Sequence, residues 1–251
     1  MAGLAICWPC RSRSCAGCAA TRSRWCFRTQ ASLNPVHRVG DQVIETIRAH
    51  RPVAHAAAAT RAVELMQDVG LPDPALRAKA FPHELSGGQR QRATVAAAIA
   101  NAPRLLIADE PTTALDVTIQ AQILDLLAGL KDRGSRMGLI FITHNLAVVS
   151  EVADRVCVMY AGQIVESGPV GDVFATPLHP YTAALIASVP EAGTQLEVIP
   201  GVVPLPGGLP PGCSFAPRCA RAEPACRSAA PALERVTSAR ASRCIKWREL
   251  P

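Results

Sequence analysis

The sequence predicts an α/β fold with a mainly parallel sheet, on three observations. Between residues 84 and 168, short apolar runs of strand length alternate with segments of helix length. Such alternation pairs strands in parallel and covers the sheet with helices. Hydrophobic residues make up 49% of the 251 and aromatic residues only 4%, so the core is built of Ala, Val, Leu and Ile. Finally, a glycine-rich turn, Ser86-Gly87-Gly88-Gln89, opens a helix, and an apolar strand, Leu105-Leu106-Ile107-Ala108, ends on Asp109-Glu110-Pro111. In open α/β sheets, ligands sit beyond the carboxyl ends of the strands.

Residues 1–30 hold five of the six net positive charges and five of the ten cysteines, with neither a helical nor a strand period. The run Cys7-x2-Cys10-x4-Cys15-x2-Cys18 permits a zinc or iron–sulfur reading. The favoured reading is an aberrant leader, without structure or out of frame with the rest of the chain. From residue 31 the pattern becomes regular. Val39, Val43, Ile44 and Ile47 recur at helical spacing, and residues 56–69 form a second helix stopped by Gly70-Leu71-Pro72. Asp73-Pro74 starts a third, short helix.

Gly87–Asn101 then reads as a helix, Arg104–Asp109 as a strand, Val117–Gly134 as a helix and Gly138–Thr143 as a strand. Leu146–Ala153 follows as a helix and Arg155–Tyr160 as a strand. Gly162-Gln163 marks a tight turn into a hairpin strand, Ile164–Glu166. Short helices surround His179-Pro180-Tyr181, and residues 199–212 are a linker rich in Pro and Gly. The expected division is a leader at 1–30, a partial catalytic domain at 31–168 and a cysteine-rich extension at 169–251. Within the second, residues 31–83 form a helical subdomain and 84–168 carry the motifs.

Composition also excludes functions. The positive charge belongs to one segment, so nucleic acid is not an expected partner. No apolar run approaches the ~18 residues of a membrane span. A signal peptide fits poorly, because the arginines follow a short apolar start. Attachment to a membrane would come through a partner.

The turn and the strand end carry the chemistry. Gly87 and Gly88 let backbone N–H groups approach an anion, Ser86 sits at an N-cap position, and Gln89 can reach a phosphate oxygen. Asp109 can hold Mg2+ directly or through water. Glu110, pointing differently by pleat alternation, can orient or deprotonate a water. Asp116 is an N-cap candidate, and His144 follows another apolar strand and is aimed at the same rim. One part of a nucleotide site is missing. No G-x-x-x-x-G-K-[ST] stretch occurs, and Lys79, Lys131 and Lys246 each follow a residue other than glycine.

Residues 31–251 resemble the ATP-binding subunit of an ABC transporter, in the oligopeptide/dipeptide importer group that includes nickel importers. The resemblance rests on Ser32-Leu33-Asn34-Pro35, on Pro82-His83-Glu84-Leu85-Ser86-Gly87-Gly88-Gln89 and on Leu106 through Asp116. It extends to Thr143-His144, Met159-Tyr160-Ala161-Gly162, His179-Pro180-Tyr181-Thr182, Pro210-Pro211-Gly212-Cys213 and Pro217-Arg218-Cys219. It implies a partial P-loop NTPase domain that binds ATP with Mg2+. Ser86, Gly87, Gly88 and Gln89 would be the signature loop and Asp109 the Walker B acid. Glu110 would be the catalytic base, Asp116 the D-loop acid and His144 the switch histidine.

The implied partners are a second ABC ATPase subunit, identical or different, two transmembrane permease subunits and an extracytoplasmic solute-binding protein. The implied location is the cytoplasmic face of the cell membrane. In the family each signature loop closes on the phosphate loop of the other subunit. Here the phosphate loop is absent, and Arg28 stands after Phe27 where the Q-loop glutamine belongs; Gln30 is not assigned that role. The expectation is a chain that hydrolyses no ATP alone, or a non-catalytic partner completing a sister's site. A soluble, non-transport ABC protein is the remaining alternative.

Cys213-x5-Cys219-x6-Cys226-x17-Cys244 is the second chemical feature. Four thiolates on short irregular loops suit an iron–sulfur cluster or zinc. Two disulfides suit a reducing compartment less well. Members of the importer group with a similar tail carry a 4Fe–4S cluster, so the resemblance favours that choice. Cys157, inside a strand, is expected in the core.

Overall fold

The computed structural model describes residues 23–26, 33–49, 52–113, 115–132, 137–189, 199–205 and 207–250. The chain forms two compact units, Cys7–Ile142 and Thr143–Pro251.

In the first unit, strands β1 (Ser23–Cys26), β2 (Leu105–Asp109) and β3 (Gly138–Ile142) form a parallel sheet in that order. The register pairs Ser23 with Leu105, Leu105 with Gly138 and Asp109 with Ile142. β1 departs from the expectation of no regular element in residues 1–30. The rest of that leader, with Phe27, Arg28 and Gln30, lies outside the described residues, as do Ser32 and Ala114. Leu106 and Ala108 of β2 are fully buried, as a strand covered on its faces requires.

Helices α1 (Val39–Arg48), α2 (His55–Asp68) and α3 (Pro74–Arg77) build the helical part of this unit. Val39, Val43, Ile44 and Ile47 form the buried stripe of α1. Gly40 is fixed by close approach, since an added Cβ would lie 2.6 Å from the Ala78 carbonyl oxygen. α2 ends in a Schellman motif, with Gly70 at φ 71°. The Leu71 N–H donates to the Met66 carbonyl and the Gly70 N–H to that of Gln67. Helices α4 (Gly87–Ile99) and α5 (Val117–Asp132) complete the unit. Gln91, Ala93, Thr94, Val95, Ala96 and Ala98 are all buried, so α4 is an interior helix.

The second unit begins with α6 (Leu146–Val152) and the hairpin β4 (Arg155–Tyr160) and β5 (Gln163–Pro169). Ala161 and Gly162 have φ of 48° and 79°, the pair of positive values a type I′ turn needs. The turn therefore falls one residue earlier than Gly162-Gln163, and β5 runs three residues past the expected Glu166. α7 (Val170–Ala175), α8 (Pro180–Ala187) and α9 (Pro224–Ser228) follow. Two short strands, β6 (Glu234–Arg235) and β7 (Ala241–Ser242), join the hairpin in the antiparallel order β4-β5-β7-β6. Among the described residues the strands form two sheets, the expected parallel one and an antiparallel one built on the hairpin. The I′ turn is the reason, because it folds β5 back on β4 without a crossover helix.

Tyr160, Tyr181 and Phe215 share the core of this unit with Val158, Val165 and Val173, their ring centroids 4.7, 5.2 and 5.4 Å apart. Glu166, fully buried on β5, accepts hydrogen bonds from the Leu178 N–H and Arg240 Nη2, each at 2.9 Å. His179 caps α8: its Nδ1 accepts from the Tyr181 N–H at 3.1 Å. It is 1% exposed. Burial, helped by the Arg243 charge, lowers its pKa to about 4.

That capping bond needs a neutral imidazole. The unfolded value is ~6.5, so above it His179 contributes no pH dependence. As pH falls from ~6.5 toward 4 the unfolded chain binds a proton that the folded chain does not, and stability declines. Denaturant midpoints should fall across that window in the natural chain. His179→Asn, which keeps a capping acceptor, should lose that slope; a slope unchanged in the variant contradicts this assignment.

Candidate functional site

Ser86 begins α4 as a reciprocal cap. Its Oγ accepts from the Gln89 N–H at 3.3 Å, and Gln89 Oε1 accepts from the Ser86 N–H at 3.1 Å. Gln89 commits its side-chain oxygen to this cap. Gly88 is required by packing: it is buried, and an added Cβ would lie 2.6 Å from Ile119 Cγ2 on α5. The turn presents Ser86 exposed at the positive end of a 13-residue helix, which suits an anion.

At the end of β2, Asp109 is half-buried and still paired with Ile142. Glu110 leaves the sheet at φ 45°, a left-handed conformation uncommon outside glycine. Its direction therefore comes from a turn and not from pleat alternation. The Glu110 N–H donates to the Ile142 carbonyl at 2.8 Å, so the backbone takes one last rung from β3 before turning. Glu110 is 8% exposed, and its Oε2 accepts from Thr113 Oγ1 at 3.0 Å. Thr113 had no assigned role in the sequence; its position three residues after the acid, across a turn, is the signal that locates it. Asp116 is exposed and caps α5, its Oδ1 accepting from the Ile119 N–H at 2.9 Å.

Ser86, Gly88, Asp109, Glu110 and Asp116 belong to the first unit, and His144 to the second. His144 is exposed. It precedes Asn145, whose Oδ1 accepts from the Ala147 N–H at 3.1 Å to start α6.

The four tail cysteines line one cavity of about 70 Å³, together with His179 and Phe215. Cys213, Cys219, Cys226 and Cys244 are free thiols. The Cys213 N–H donates to the Cys226 carbonyl at 2.8 Å, and Gly212 lies so close to that carbonyl that an added Cβ would overlap it. Burial, with the neighbouring Cys213, Cys219 and Cys226, pushes Cys244 up to about 11. Burial also raises Cys219. Among the described residues no three His, Cys, Asp or Glu side chains gather closely enough to hold one metal ion. That lends no support to a metal at the tail cysteines, whether zinc or an iron–sulfur cluster. Cys157 is half-buried on β4, and burial raises its pKa.

The sequence profile described as ABC transporter matches residues 16–113, and the one described as Oligopeptide/dipeptide transporter, C-terminal region, matches residues 165–226. The first match begins inside the segment read as a leader. A peptide import ATP-binding protein of Brucella melitensis biotype 1 is 55% identical over 228 residues, covering 87% of this chain and 67% of its own length. A peptide import ATP-binding protein of Brucella abortus strain 2308 is 50% identical over 216 residues, covering 85% and 64%. The dimeric structure of the ATP-binding cassette MJ0796 with ADP and Pi aligns at a TM-score of 0.55 and 25% identity. That alignment covers 62% of this chain and 66% of the cassette. The chain belongs to the ABC transporter ATP-binding family. It spans about two thirds of the length of the relatives it matches.

The contact of Gly88 with Ile119 is open to test. Gly88→Ala should destabilise the first unit by about 1–3 kcal/mol through overpacking. A double-mutant cycle with Ile119→Ala should recover ~1 kcal/mol of coupling, read from denaturant unfolding. Strictly additive effects would remove the contact as the reason for the glycine.

Proposed function

We propose that the chain acts as the ATP-binding subunit of an importer of di- or oligopeptides, or of nickel. In this reading it closes its signature loop over an ATP held by a second ABC ATPase subunit. The carrying observation is the capped turn at Ser86, a preformed anion-facing helix start. The relatives named as peptide import ATP-binding proteins support the cargo class, and the match of residues 165–226 supports transport over a soluble ABC role. Asp109 would ligate Mg2+, Glu110 would act as the base, and Asp116 and His144 would face the nucleotide. Two permease subunits and a solute-binding protein complete the assembly, and the permeases attach the chain to the cytoplasmic face of the membrane. No described helix is long and apolar enough to cross a membrane.

ABC ATPases hydrolyse ATP, and the family's activity requires a cradle for the triphosphate. The purified chain should therefore show no ATP turnover above that of its Glu110→Gln variant. Turnover abolished by Glu110→Gln would overturn the reading of an incompetent lone subunit.

The tail cavity is read as the seat of a 4Fe–4S cluster held by Cys213, Cys219, Cys226 and Cys244. Four thiols about one cavity fit a multi-atom centre, and thiols with raised pKa values need a cationic centre to ionise together. Such a centre would cross-link the tail's loops. Anaerobically purified protein should contain about four irons per chain, with charge-transfer absorbance that Cys219→Ala removes. Stoichiometric zinc without iron would overturn the assignment.

A further inference from the structure

The run Gln89-Arg90-Gln91-Arg92 follows the signature turn, and its arginines do different work. Arg90, in the first turn of α4, is half-buried. Its Nη1 donates to the Leu85 carbonyl at 2.7 Å and to the Pro82 carbonyl at 3.2 Å. The segment it grips is closed from other sides as well. Glu84 Oε2 accepts from the Phe81 N–H at 2.7 Å, and the Ser86 N–H is held by Gln89. Arg90 Nε is buried without a hydrogen-bond partner. Leaving that donor unmet costs free energy, which an apolar side chain would avoid. What an apolar residue could not supply is the double donation to Pro82 and Leu85.

We infer that Arg90 is a positioning residue for the signature loop. Its guanidinium fixes residues 82–85, so that Ser86 meets a partner-bound triphosphate in a pose ordered beforehand. A loop ordered during folding has less freedom left to lose on binding. This deepens the proposed function and rests on it for the identity of the ligand. Arg92 lies two residues on and anchors elsewhere, donating to the Val69 carbonyl at 2.6 Å and to Gln122 Oε1 at 3.1 Å. It therefore serves as the control for a structural effect on the same helix.

The test uses the full chain and amide hydrogen exchange over residues 81–89, comparing Arg90→Lys with Arg92→Lys. An ammonium cannot reproduce the rigid fork of the guanidinium. Arg90→Lys should speed exchange at Leu85–Gln89 by about tenfold while exchange elsewhere stays unchanged. Arg92→Lys should leave that peptide protected even if the chain melts at a lower temperature. Unchanged exchange in Arg90→Lys, or equal acceleration in both variants, overturns the inference. In the complex with its sister ATPase subunit, Arg90→Lys should raise the KM for ATP severalfold and leave kcat within about twofold. A fall in kcat at constant KM would overturn it too. The exchange arm needs no turnover, so it decides the matter even where no complex hydrolyses ATP, a result that counts against the proposed function alone.

Discussion

The bond from the Glu110 N–H to the Ile142 carbonyl is the constraint on which the first unit's chemistry depends. It extends the parallel pairing of β2 and β3 one step beyond Asp109, and the chain leaves the sheet there at φ 45°. A left-handed non-glycine residue persists only where its surroundings over-determine it. Here burial of Leu106 and Ala108 holds the strand, and the Thr113 hydroxyl holds the carboxylate. The same turn delivers Asp116 to the start of α5, and α5 brings Ile119 against Gly88 at the signature helix. Strand end and loop are thus braced by contacts within one unit.

Much of this was legible in the sequence because it depends on local pattern. The stripe Val39, Val43, Ile44 and Ile47, the cap at Ser86 and the apolar run before Asp109 each follow from spacing. What escaped depends on long-range contact. β1 carries no periodic signal of its own and is defined by its pairing with Leu105–Ala108. β6 and β7 are two residues each, too short for alternation to register, and exist because β5 offers an edge. Glycine was the least readable residue. Gly88 carries a packing constraint against Ile119 that local pattern does not reveal.

The second unit is tied together by buried charge as well as by its cluster of rings and valines. Glu166 draws together β5, the segment before α8 and Arg240 of the tail, which also donates to the Thr176 carbonyl at 2.6 Å. A buried carboxylate without such partners would be strongly unfavourable, so these segments dock together or not at all. Arg218 adds a second tie, donating to the carbonyls of Ile199 and Pro200 at 3.0 and 2.7 Å.

Phe215 comes from the tail, yet its ring completes the cluster begun by Tyr160 and Tyr181. The carboxy-terminal stretch is therefore not a detachable cartridge. Grafted alone onto another cassette, it would leave one aromatic wall behind and carry an unmatched one with it. Any recombination that kept the module whole would have to cut upstream of the β4–β5 hairpin.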